Sequence, residues 1–462
     1  MIYPGLIKLH DHPTYNILPL WQVPKLYRNR NTWIKKEPEY LPDISWPMLV
    51  LAGNKDKRYS KAVARYVECR SLCGGATTFQ GVSRDGEYYR GLARNAEVSR
   101  DPELPNAAGR VQDLAAAEVA TILAPALTID RTYFYHLSEG TDPDARQKFL
   151  ELKYAAGQWA INQNLAAIHC VGLQEEDFAR LVTSAGVIWS PLSNYMLYGR
   201  TMDFAAAKAA GVRVCLGADW GPSGSKNLLG ELKIARIANI LSKGGFSASD
   251  LVAMVTINAA EALGWSKRIG SIEPDKYADL LILSDTTGDP YDQLTNANET
   301  DIAAVLVGGQ PRLGRENLLE FNAVSQENLT IGGNRYIIVL ANDDGTPLGA
   351  PKLSNASDLL TDALARLPKI ARDYQSFFAE VAAQPEKYPQ FVALAALGDW
   401  GLDLEFEPEE RSVYDYALAA SEVDPNLIHP MKLAPLSLVD ETDFMPTVKA
   451  NINLPPAVRT KL

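Results

Sequence analysis

The sequence predicts an α/β chain built on a (β/α)8 barrel, and three observations carry that expectation. Short apolar runs of strand length alternate with amphipathic, helix-length stretches from the start to about residue 265. Such units, repeated over roughly 250 residues, make one closed barrel. The glycine-rich phosphate fingerprint of a doubly wound sheet does not follow the first run, which weakens that competing architecture.

In chain order, the strand-like runs are residues 6–10, 76–80, 133–136, 166–170, 187–190 and 212–219. Helical periodicity falls between them at 60–73, 144–163, 177–185 and 204–210, and after the last at 227–241. Beyond residue 265 the texture changes. Residues 270–283 and 301–309 read as short strands joined by turns, with Gly308-Gly309 as a hairpin turn. From about residue 316 a third texture begins: a strand at 336–340, a helical stretch at 358–383 interrupted near Pro368, and a proline-dotted tail from Asp424. Three segments follow: a barrel over 1–265, short strands over 266–315, and an α+β extension of unknown role over 316–462.

Composition narrows the function classes. A 462-residue chain that is 47% hydrophobic and 22% charged is an ordinary globular sequence, so disorder and low-complexity architectures are excluded. No apolar run approaches the ~18–20 residues that span a bilayer, so no membrane partner is expected. The net charge of −11 argues against nucleic acid as a partner. The first ten residues lack the basic start of a secretory signal. Cys69, Cys73, Cys170 and Cys215 are too few for a disulfide scaffold and read as free thiols of a cytoplasmic chain.

There are five histidines, so each position can be weighed singly. His10 and His12 form an HxH pair at the end of the first run, and residues i and i+2 of a strand face the same side. His136, His169 and Asp219 end three further runs. In a (β/α)8 barrel those ends converge on the active-site mouth. Taken alone, His136 or His169 suits a hydrogen-bonded core position, Asp219 a helix cap, and Glu139 a solvated first-turn carboxylate. Together those readings require four coincidences. His10, His12, His136 and Asp219 instead supply three imidazoles and a carboxylate, a donor set for zinc or iron that acidifies a bound water. Glu139, three residues after His136, suits a proton shuttle, and His169 suits polarising the substrate.

These stretches, with Ser190-Pro-Leu-Ser-Asn194, Thr256-Ile-Asn-Ala-Ala-Glu-Ala-Leu-Gly264 and Gly270-Ser-Ile-Glu-Pro-Asp-Lys-Tyr-Ala-Asp-Leu280, resemble the amidohydrolase superfamily. The likeness falls on the side of the adenosine, cytosine and guanine deaminases and the triazine chlorohydrolases, and runs from residue 4 to about 312. It implies that His10, His12, His136 and Asp219 bind one divalent metal, zinc first, with iron or manganese as alternatives. It implies that Glu139 and His169 are the acid/base and substrate-polarising partners, with Asp219 also taking a proton from the metal-activated water. The binuclear branches use a carboxylated lysine on the fourth strand. This chain has no lysine between Lys61 and Lys148, so a single metal is expected. The family's small β-sandwich is expected to be incomplete, because HxH arrives at residue 10.

The expected activity is hydrolysis of a non-peptide C–N bond in a small molecule. Hydrolysis of a C–Cl or ester/lactone bond at the same site is the alternative, and a non-catalytic barrel scaffold is the third reading. Homo-oligomerisation stays open. Softer expectations are an anion-binding role for Arg90, Arg94 and Asn95, and either a pocket wall or core or rim packing for Tyr15 and Trp220. Pro222-Ser-Gly-Ser225 is read as pocket lining or as a turn with Ser225 capping the next helix.

Overall fold

The computed structural model describes every residue except 35, 83–87, 285–286, 319–324, 343, 397–401, 403 and 405–412. Eight parallel strands form the barrel: Leu6–Lys8, Ala76–Phe79, Arg94–Asn95, Ala108–Arg110, Tyr133–Leu137, Leu165–His169, Gly186–Trp189 and Val214–Leu216. They pair as a group of three and a group of five. Two seams close the ring. Ala107 N donates to Ala96 O at 2.8 Å between the third and fourth strands. At the other seam, Asp11 bridges Asp219 beyond the eighth strand, and Asp219 N donates to His10 O at 3.0 Å. Gly217 lets this second seam close: a Cβ there would lie 2.3 Å from that of His10.

Six of the eight strands are buried on both faces, hence their largely apolar content, while Arg94–Asn95 and Ala108–Arg110 are only partly buried. Arg58–Cys73 forms the helix after the first strand, and Leu228–Ser242 follows the eighth, with Asn227 as N-cap accepting from Gly230 N at 2.9 Å. One expected helix is corrected. The pattern over 144–163 yields a helix only at Pro143–Leu150, followed by an antiparallel hairpin of Lys153–Ala155 and Gln158–Trp159. Gly157, in the left-handed region at φ +75°, makes the turn, and Trp159 folds back onto Phe149 with ring centres 5.3 Å apart.

The second layer is one six-stranded antiparallel sheet in the order Ile2–Pro4, Leu280–Leu283, Ile302–Val307, Gln310–Arg315, Asn334–Val339, Gln326–Ile331. Gly308-Gly309 makes the expected hairpin turn, opposing Val307 to Gln310. The three residues Ile2–Pro4 supply an edge strand paired with Leu280–Leu283. The sheet continues beyond residue 315 into the hairpin 326–339.

Helices Leu353–Ala365 and Leu367–Ala383 follow. The first presents Leu353, Ala356, Leu360, Ala363 and Leu364 to the interior, a helical stripe that packs on Arg58–Cys73. The last segment then returns across the barrel's C-terminal face. Ala434 N donates to Ile17 O at 3.0 Å, and Lys226 pairs with Glu441 Oε2 at 2.7 Å. Asn453 Nδ2 donates to Met196 O at 2.9 Å and Val23 O at 3.4 Å. No helix among the described residues is long and apolar enough to cross a membrane.

Candidate active site

The six residues singled out in the sequence all sit at the C-terminal ends of barrel strands, and none exposes more than 8% of its surface. His10 and His12 follow the first strand, His136 lies in the fifth, His169 ends the sixth and Asp219 follows the eighth. The chain turns sharply at these ends. Ser138, His169, Cys170 and Asp219 are non-glycine residues with φ of 51°, 68°, 52° and 56°. Left-handed backbone at such residues costs energy and is characteristic of functional sites.

His10 Nε2 lies 3.3 Å from His12 Nε2 and 3.2 Å from His136 Nε2. Asp219 Oδ1 lies 3.4 Å from His10 Nε2 and 3.5 Å from His12 Nε2. Four donors placed tetrahedrally at the ~2.0–2.1 Å of zinc–nitrogen and zinc–oxygen bonds stand about 3.3–3.4 Å apart. The four separations match that spacing, and His10, His12 and His136 lie close enough together to hold one ion. Electrostatics agree. Burial, first among the causes, pushes His10 and His136 well below the usual imidazole value and lowers His12, so their lone pairs stay free. Burial also raises the Asp219 carboxyl to about 7, a desolvation penalty that a cation in the cluster would offset.

A second tier orients this cluster. His10 Nδ1 meets Ser190 Oγ at 2.8 Å, so its Nε2 is left for the centre of the site. Ser193 hydrogen-bonds Asp219 and meets Ser223 Oγ at 2.8 Å, which accepts from Trp220 Nε1 at 2.5 Å. Asn194 Nδ2 lies 2.9 Å from His169 Nδ1. Burial, reinforced by the charges of His12 and Arg30, holds His169 well below the usual value and therefore neutral.

Glu139 faces the cluster from the other side. Its Oε1 accepts from the Tyr198 hydroxyl at 2.6 Å, and that hydroxyl accepts from Trp33 Nε1 at 3.0 Å. Its Oε2 is buried without a hydrogen-bond donor, 3.7 Å from both His169 Nε2 and Arg30 Nη1. Burial raises its pKa, against the opposing pull of Arg30 and the Tyr198 hydrogen bond. Arg30 is itself held by Asp113 Oδ1 at 3.0 Å and by Val111 O.

Trp220 stands edge-on to His12 with ring centres 6.3 Å apart and packs against Tyr15, both buried, an arrangement that fits the wall and the core-packing readings alike. The aromatic cluster is larger than that pair: Trp33 packs on Trp220 at 5.8 Å and extends it to Trp21, Tyr27 and Tyr40. Other expectations change. Arg94 is held by Asp279 at 2.7 Å and lies over Tyr277, and Asn95 Oδ1 caps the turn at Glu97 and Val98, so both serve the fold. Ser225 bonds Glu231, leaving the cap to Asn227. Cys170 is buried with its thiol pushed up, which suits packing.

Sequence reasoning missed Arg30, Trp33, Tyr198 and Thr201. For Tyr198 a signal existed: it lies one helical turn after Asn194, on the same face of Pro191–Tyr198.

Residues 136–312 match the amidohydrolase family. The chain is 37% identical over 127 residues to a 5-methylthioadenosine/S-adenosylhomocysteine deaminase of Symbiobacterium thermophilum, covering 26% of this chain and 29% of that protein. It is 27% identical over 367 residues to the protein of that name from Moorella thermoacetica, covering 69% of this chain and 83% of that one. An adenosine deaminase from Xanthomonas campestris, solved with bound zinc, shares the fold with a TM-score of 0.55 at 20% identity, over 70% of this chain and 82% of that one. Atrazine chlorohydrolase from Arthrobacter aurescens, complexed with zinc, does so at 0.53 and 15%, over 78% and 88%. The barrel, the ordered motifs and the convergent histidines thus accompany a match to the amidohydrolase family over residues 136–312 and a likeness to deaminases over most of the chain.

Proposed function

We propose that this chain is a metal-dependent hydrolase that removes an amino group from an aminated heterocycle, with aminopurines as the first class to test. One observation supports the reading most: the Nε2 atoms of His10, His12 and His136 meet in one buried cluster, with the Asp219 carboxylate against two of them and Glu139 beside it with one unbonded oxygen. The substrate class follows the names of the relatives, which are deaminases of adenosine derivatives and guanine. His10, His12, His136 and Asp219 would hold the ion, zinc first with iron or manganese as alternatives; when bound it supplies Lewis acidity and a water acidified toward neutrality.

The chain's own groups account for the remainder. Tyr198 fixes one oxygen of Glu139 and leaves Oε2 facing the cluster. Burial favours the protonated carboxyl, the form needed to deliver a proton to the departing amino nitrogen. His169 Nε2 stands 3.7 Å from that oxygen, where it can hydrogen-bond a ring atom that gains charge. Trp220 and Trp33 exclude water and present an aromatic wall suited to a planar ring.

The test is ammonia release by the metal-loaded protein from adenosine, 5′-methylthioadenosine and guanine, with chloride release from atrazine measured alongside. Ammonia is expected from at least one purine. Glu139→Gln should lower turnover at least ~100-fold while leaving bound metal unchanged, because the carboxyl moves a proton and holds no ion. No ammonia from any of the three overturns the deaminase reading, and chloride release alone would move the site to dehalogenation.

A further inference from the structure

Three polar groups around the cluster, Glu139, Asp219 and His169, are each reached by a hydrogen-bond chain that begins on an indole. Trp33 Nε1 leads to Tyr198 and Glu139, and Trp220 Nε1 leads through Ser223 and Ser193 to Asp219. The third chain runs from Trp189 Nε1 to Thr201 Oγ1 at 2.6 Å, from Thr201 Oγ1 to Asn194 Oδ1 at 3.2 Å, and from Asn194 Nδ2 to His169 Nδ1 at 2.9 Å. An indole N–H is donor only, so the hydroxyl it meets accepts from it and keeps its own proton to pass on. Thr201 Oγ1 accepts from Trp189, which leaves the hydroxyl proton for Asn194 Oδ1. The amide then turns its NH2 to the imidazole, and Nδ1 must accept. The ring proton of neutral His169 therefore sits on Nε2, the nitrogen that faces Glu139 Oε2 across 3.7 Å. Reversing the amide would give Thr201 Oγ1 two donors and its own proton no acceptor among the described hydrogen bonds.

We propose that Trp189, Thr201 and Asn194 form a one-way relay that fixes His169 as its Nε2–H tautomer, making it a hydrogen-bond donor to the substrate rather than a proton acceptor. Proton transfer is then left to Glu139 Oε2. Asn194 and Tyr198 sit one turn apart on the helix Pro191–Tyr198, so one helix face orients the donor and the proton carrier together. All three relay members are positioning residues. Their assignment to a reaction rests on the hydrolase reading; the tautomer does not.

The experiment is ring-nitrogen NMR of the metal-loaded protein labelled with 15N-histidine, with His169→Gln used to assign the signal. Five histidines keep the spectrum sparse. Wild type should show His169 protonated at Nε2 and bare at Nδ1. Asn194→Asp introduces a carboxylate that can only accept, so the proton should move to Nδ1. Thr201→Val removes what directs the amide and should populate both tautomers, whereas Thr201→Ser should keep the wild-type pattern. Turnover on whichever purine is active should fall about 100-fold in Asn194→Asp with KM within about twofold, the loss given by one misdirected group. A wild-type Nδ1–H tautomer, or an unchanged tautomer in both Asn194→Asp and Thr201→Val, overturns the relay. The expected tautomers without ammonia from any purine would leave the relay standing and remove the deaminase reading.

Discussion

Glu68 illustrates at a single residue how burial sets proton affinity in this chain. It lies on the helix Arg58–Cys73, with Oε1 unbonded, and burial lifts its carboxyl to about 8 despite Arg65 nearby. Between about pH 4.5 and 8 the folded chain holds a proton there that the unfolded chain has released, so folding stability falls as pH rises through that window. The limiting slope is about 1.4 kcal/mol per pH unit. Glu68→Gln should remove it. In urea unfolding, the variant should gain stability relative to wild type from pH 5 to pH 8, and parallel pH profiles would contradict the assignment. The histidines and Asp219 were legible in the sequence because each ends an apolar run, and barrel topology sends such ends to one place. Arg30, Trp33 and Tyr198 were not, since they come from a loop and a helix end whose approach is set by packing in three dimensions.

The elements show the same division. Six of the eight barrel strands were readable because they are buried apolar runs, whereas Arg94–Asn95 and Ala108–Arg110, short, polar-containing and only partly buried, left no such run. The stretch 144–163 misled because its periodicity persists past the end of the helix, while the turn at Gly157 decides the structure. Loops carry the more exact requirements. Gly140, at φ +147°, lets the loop after the fifth strand pair with Asn29: a Cβ there would lie 2.5 Å from Asn29 Cα and Arg28 O. That pairing brings Arg30 to Glu139. Gly140→Ala should therefore destabilise the fold by about 1–3 kcal/mol, the range for forced backbone strain, and lower turnover more than metal content. Thermal unfolding with metal analysis checks both, and a neutral variant would contradict the close approach.

Across the whole molecule, the least legible part is the final segment. Its prolines and irregular texture hid the fact that it spans the barrel mouth, tying Ile17 and Val23 of the first loop to Met196 of the seventh and Lys226 of the eighth. Asn453 is the most compact of these ties. Asn453→Ala leaves buried carbonyls without donors and should cost about 1–3 kcal/mol. Hydrogen exchange should quicken around residues 17–33 and 191–199 together, while quickening confined to the tail would show that it does not clamp those loops. The six-stranded sheet likewise gathers strands from both ends of the sequence, a pairing that local periodicity cannot reveal.

The central proposal is that His10, His12, His136 and Asp219 hold a single divalent ion. Elemental analysis of the purified chain, before and after incubation with zinc, iron or manganese, tests it most directly. One ion per chain is expected in wild type and in Glu139→Gln, with loss of binding in His136→Ala. A wild-type chain that takes up none of the three metals, or a His136→Ala variant that binds as wild type does, would contradict it.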